Sequence, residues 1–130
     1  MKVYTIFCDD VRHETNNKKS FIGVYDQTLI VKQFPTLVPK FFIVPHLAFK
    51  KGESIPKAIR IQIAYPGGNA ELAGTIEDKE DSVFPDDEVM FLINEISPFL
   101  IENAGNMEVS VKLDDKKIIS AGELLIKQGD

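Results

Sequence analysis

The sequence predicts an all-β protein, specifically an antiparallel β-sandwich of immunoglobulin-like or C2-like type over residues 1–130. A closed β-barrel is the structural alternative. Three observations carry this reading. Two segments alternate apolar and polar residues with a period of two. Several other apolar runs are short and bounded by turn residues. Turn signals recur about every ten residues, which divides the chain into seven to nine short strands. A length of 130 residues is that of one ordinary domain.

Taken in order, Val3 to Cys8 is a strand apolar on both faces. His13-Glu14-Thr15-Asn16-Asn17-Lys18-Lys19 is polar and carries two Asn, suiting the turn of a long hairpin into a second apolar strand, Phe21 to Tyr25. Pro35, Pro39 and Pro45 then crowd one region. Proline cannot donate to a β-ladder, so Phe34 to Phe49 is expected to bend along a sheet edge, with a buried strand at Phe41 to Val44. In Ala58 to Tyr65, Ile59, Ile61, Ile63 and Tyr65 alternate with Arg60 and Gln62, the pattern of a sheet with one wet face.

Pro66-Gly67-Gly68-Asn69 is a strong turn leading into a strand from Ala70 to Ile76. The longest loop follows, Glu77 to Glu88, with seven carboxylates. Val89 to Ile93 is another apolar strand. Asn94 to Asn103 has room for a short helical turn that Pro98 keeps from lengthening. Met107, Val109, Val111 and Leu113 alternate with Glu108, Ser110 and Lys112. Leu113 to Ile118 forms a hairpin with Asp114 and Asp115 at its tip, and the last strand, Ile118 to Ile126, is expected to break near Gly122.

Composition excludes several classes. Hydrophobic residues make up 44% and charged residues 27%, enough apolar side chain to offset the entropy of ordering, so disorder is not expected. No apolar run reaches the roughly 18 residues of a membrane span. The start, Met1 to Cys8, reaches Asp9 and Asp10 too soon for a secretory leader. Cys8 is the single cysteine, so no internal disulfide or cysteine-based zinc site forms, and a reducing cytoplasm is the expected compartment. The net charge of −5 is uneven: residues 1–70 carry ten Lys/Arg against five Asp/Glu, and residues 71–130 carry five against fifteen. That acidic half argues against nucleic-acid binding, which needs a basic face for phosphates. It is read chiefly as solvated loops, with electrostatic complementarity to a partner or second subunit as the sharper alternative.

Three places offer candidate chemistry. Cys8-Asp9-Asp10-Val11-Arg12-His13-Glu14 holds six functional side chains in seven positions. A Cys/His/Asp set can bind metal or support a nucleophile. On an extended strand, however, Cys8, Asp10, Arg12 and Glu14 share one face while Asp9 and His13 share the other. An ion-paired strand end, with Arg12 bridging Asp10 and Glu14, is the preferred reading. The acidic loop has the oxygens for calcium but no calcium-loop spacing, and is read as solvated. His46, following Pro45 in an apolar stretch, is read as a structural, hydrogen-bonded histidine. There is no Gly-x-Ser-x-Gly elbow and no phosphate-binding glycine loop. No catalytic residue, metal site or cofactor is assigned.

Phe7-Cys8-Asp9-Asp10-Val11-Arg12-His13-Glu14, followed by Lys19-Ser20-Phe21-Ile22-Gly23-Val24-Tyr25, resembles a family of small bacterial and phage proteins of unknown function. The resemblance covers residues 1–50. It implies a compact β-sandwich and singles out Asp9, Asp10, Arg12, Glu14, Lys19, Ser20, Gly23 and Tyr25 as a motif, either an ion-pair network pinning the first hairpin or a binding surface. The expected function is a non-enzymatic protein-interaction module, with a protein partner or self-association through sheet edges and no nucleic acid or membrane. The rivals are a metal-dependent binder or enzyme using Asp9, Asp10, His13 and Glu14, and a phage-type inhibitor of a host protein.

Overall fold

The structure, a computed structural model, describes residues 1–75 and 82–129. Among them lie twelve strands: β1 (Lys2–His13), β2 (Lys19–Tyr25), β3 (Thr28–Val31), β4 (Thr36–Val38), β5 (Phe41–Phe49), β6 (Ala58–Tyr65), β7 (Gly68–Thr75), β8 (Glu88–Phe91), β9 (Asn94–Ile96), β10 (Phe99–Ile101), β11 (Gly105–Leu113) and β12 (Lys117–Gln128). One sheet runs β2-β1-β5-β8, with β9 also paired to β5. The other runs β3-β12-β11-β6-β7, and β4 with β10 makes a two-stranded ribbon. The sheets pack together without closing a barrel, the architecture of a β-sandwich.

The alternating strands supply the core. Val109 stands opposite Ile63, Val111 opposite Ile61 and Leu113 opposite Ile59 across β11 and β6. Ile59, Ile61, Ile63, Met107, Val109 and Val111 are all buried. Fully burying an aliphatic side chain of this size contributes about 1.5–3 kcal/mol, and directly opposed β-branched residues pack well on a pleated surface. They meet Phe7, Phe41, Ile43, Leu47 and Phe49 from the first sheet.

The turns match their residue types. Asn16 and Asn17, at φ 61° and 59°, reverse the chain between β1 and β2, where Glu14 N donates to Lys18 O at 2.7 Å. Asp114 and Asp115, at φ 52° and 56°, form the left-handed pair of the β11–β12 hairpin. This acidic tip is an anchor. Asp114 Oδ1 accepts from Lys57 N at 2.7 Å and Ala58 N at 3.0 Å, and Asp115 pairs with Arg60 at 3.1 Å. The expected break near Gly122 is a bulge: the β11–β12 register shifts beyond Val109↔Gly122, leaving Ala121 as the extra residue.

Several expectations need correction. Within Phe34 to Phe49 only β4, in its two-stranded ribbon with β10, lies at an edge; β5 is a central strand, between β1 on one side and β8 and β9 on the other. Pro45 is tolerated there because the neighbouring edge is interrupted opposite it. β9 pairs with Phe41–Ile43 and β8 with His46–Phe49. Leu92 N donates to Pro45 O across the break, and Asn94 Nδ2 donates to Ile43 O and Leu92 O. Asn94 to Asn103 holds β9 and β10 in place of a helical turn. β2 and β8 are half-exposed edge strands, not deeply buried ones, and β3 joins β12 in parallel. The acidic run expected at 77–88 lies partly outside the described residues. Its described end is anchored: Phe84 is buried against Phe49 with ring centroids 4.5 Å apart, and Lys51 N donates to Asp87 Oδ1 at 2.8 Å.

Candidate functional site

The eight motif residues come together on the β1–β2 hairpin, and they contact one another or their immediate neighbours. Tyr25 OH donates to Asp9 Oδ1 at 2.5 Å. Burial and this adjacent carboxylate both push the Tyr25 phenol up, burial contributing more. Gly23, opposite Asp9 in the register, has φ +68°, and a Cβ there would collide with the Asp9 carboxylate. Only glycine serves both demands.

Asp10 accepts from Lys40 Nζ at 2.9 Å, from the Val11 N–H at 2.9 Å and from Arg12 Nε at 3.4 Å. The Lys40 ammonium chiefly, with help from the Val11 amide and Arg12, holds its carboxyl below the usual carboxylate range. Arg12 does not bridge to Glu14 as expected; Ser20 Oγ donates to Glu14 Oε1 at 3.1 Å instead. Lys19 Nζ sits 5.2 Å from the Phe91 ring centroid, a cation–π contact tying β2 toward β8.

Cys8 is fully buried beside Phe42 and Val44, in a small cluster on the face turned away from the second sheet. Burial raises its thiol pKa, so the thiolate needed for nucleophilic attack is disfavoured. His13 is exposed and stands opposite Lys19 at the end of the strand pairing. Among the described residues, no group of three or more His, Cys, Asp and Glu side chains is placed to hold a metal ion. Asp9 and Asp10 turn to different partners, Tyr25 and Lys40, as strand alternation requires.

His46 is 2% exposed. Tyr4 stacks on it at 4.4 Å, Phe91 meets it edge-on at 4.1 Å, and Phe21 lies at 5.8 Å. Its Nδ1–H donates to Val44 O at 3.2 Å. Burial lowers its pKa, and that carbonyl only partly offsets the effect. The imidazole is a neutral piece of an aromatic cluster.

A second region, missed by the sequence reading, lies at the far edge of the other sheet. β7 is the outer strand there and, among the described residues, pairs only with β6. Ala70 and Leu72 stand opposite the buried Ile63 and Ile61, which puts them on the inward face. Leu72 is nevertheless 38% exposed, because a groove of about 400 Å³ separates it from Ile96, Pro98, Phe99 and Leu100. Buried Phe99 forms the floor, packed edge-on to Tyr65 and stacked on Phe41. Leu100 is 49% exposed at the rim, and Glu102 is the one charged residue lining the groove among the described residues.

The edge beside this groove is unusual. Natural sheet edges are blunted by shortness, lysine, proline or a bulge. β3 has four residues and β8 has four, while β2 carries Lys19 and the left-handed Gly23. β7 has eight residues, Gly-Asn-Ala-Glu-Leu-Ala-Gly-Thr, with neither lysine nor proline. Its one charge, Glu71, is occupied by Arg60 at 3.1 Å. The signal in the sequence is this run of mostly small residues, but the opposing wall, with Pro98, reads from the sequence alone as a helical turn.

A model described as a family of unknown function (DUF6941) matches residues 3–122, which covers most of the chain and shows its family. No curated protein and no solved structure matches. No helix among the described residues is long and apolar enough to cross a membrane.

Proposed function

We propose that this chain, which belongs to the DUF6941 family, is a non-enzymatic protein-binding module that accepts an extended segment as an added strand on β7. The observation supporting it is the eight-residue edge of β7, unguarded by lysine or proline and paired on one side only among the described residues. Main-chain N–H and C=O groups on such an edge supply affinity without any catalytic side chain. The module works in a reducing cytoplasm, a reading supported by its single, buried, free cysteine.

The metal-dependent or enzymatic reading draws less support. Asp9 is engaged by Tyr25, Asp10 by Lys40 and Glu14 by Ser20, while His13 stands apart. The test is selection of binders from a random-peptide display library, followed by amide hydrogen exchange on the complexes. The expected result is protection of the amides of residues 68–72. Binders that protect only other strands, or a library that yields none, would overturn the reading.

A further inference from the structure

We infer that the groove beneath β7 reads the side chains of the added strand, and that its occupant is an extended peptide of alternating apolar residues with a lysine or arginine near one end. This rests on the strand-addition reading above and names the partner chemistry that the reading leaves open.

A strand added to β7 continues the sheet, so its side chains alternate between the outer face and the groove. Inward positions fall beside Ala70 and Leu72, against the wall of Pro98 and Leu100. That lining is mostly apolar, and about 400 Å³ lies within the roughly 300–1,000 Å³ of ligand pockets. An apolar side chain at every second position fills it, and polar residues at the intervening positions face water. Glu102, the only charged lining residue among those described, sets the direction. A cation on the occupant meets it favourably, whereas a carboxylate there meets like charge. Its pairing is solvent-exposed, so it orients the peptide more than it tightens binding.

The probe is a fluorescent peptide of alternating valine and threonine ending in lysine, with three companions. One ends in glutamate, one is N-methylated at every amide so that neither edge can donate, and one has the valines replaced by serine. Binding to the full chain is read by anisotropy, and the oligomeric state of the free chain by sedimentation. The expected results are binding of the lysine peptide, about tenfold loss for the serine peptide and several-fold loss for the glutamate peptide. Ala70→Phe, which plugs the groove and removes no β7 main-chain group, is expected to weaken binding at least tenfold in a chain that still unfolds cooperatively. Glu102→Lys is expected to reverse the charge preference.

Binding lost on N-methylation but indifferent to the serine peptide, Ala70→Phe and Glu102→Lys overturns the groove inference and leaves strand addition standing. Binding indifferent to N-methylation overturns strand addition itself. A free chain that is a dimer dispersed by Ala70→Phe shows a second copy as the occupant and overturns the peptide assignment.

Discussion

The β1–β2 hairpin and the β7 edge are opposites. The hairpin is rich in ionisable side chains, and these are engaged nearby: Asp9 with Tyr25, Asp10 with Lys40 and Arg12, Glu14 with Ser20. The β7 edge has one charged side chain, itself paired, and leaves its backbone and an apolar groove unfilled among the described residues. The dense polar motif is thus largely spent on contacts within the hairpin and with Lys40. A main-chain edge left unpaired among the described residues lies in β7.

Variants can break or sharpen that contrast. The largest effect is expected from Phe99→Ala. It removes the groove floor and the contacts with Phe41 and Tyr65, at about 3–5 kcal/mol in chemical denaturation. A cost below 1 kcal/mol would mean that the groove is not rooted in the core. Gly23→Val comes next. A left-handed non-glycine residue costs about 1–2 kcal/mol, and crowding Asp9 adds about 1–3 kcal/mol. A stable Gly23→Val protein would show that the hairpin does not depend on this close approach.

Tyr25→Phe removes a hydrogen bond to a partly hydrated carboxylate and is expected to cost about 1 kcal/mol. His46 gives a pH signature. Its pKa is depressed in the fold, so the unfolded chain binds the proton more readily. The stability it contributes is full above its ordinary pKa of about 6.5 and is lost as pH falls below that. The melting temperature is expected to decline between pH 7 and pH 5, and His46→Phe should flatten that decline. An unchanged slope in the variant would place the proton elsewhere. Smallest of all, Arg12→Ala should leave the melting temperature within error, because its contact with Asp10 is exposed and Lys40 remains.

Much of the fold was legible because the signals were local. Period two at Ile59, Ile61 and Ile63, the paired Asn of the first hairpin, Pro66-Gly67 and the Asp114-Asp115 tip each specify a conformation from neighbouring residues alone. The motif's sharing of one hairpin followed from the same logic. Errors arose where a residue's meaning depends on a strand distant in sequence. Pro45 reads as an edge residue until the gap between β8 and β9 is seen opposite it. Pro98 reads as a helix stop until β10 is found beside β4. The groove was illegible for that reason, since its two walls come from residues about 30 apart and its existence depends on how the sheets overhang.

The parallel pairing of β3 with β12 bears on the order in which the molecule is built. Leu125 pairs with Thr28 and Gln128 with Val31, each across 97 positions of sequence. During synthesis β3 leaves the ribosome early and has no strand neighbour until β12 follows. The second sheet therefore closes late, and such distant pairings fold slowly. Until then the emerging chain carries an unpaired strand, with buried Leu29 and Val31 still in water, and that interval is when it most needs protection from other nascent chains.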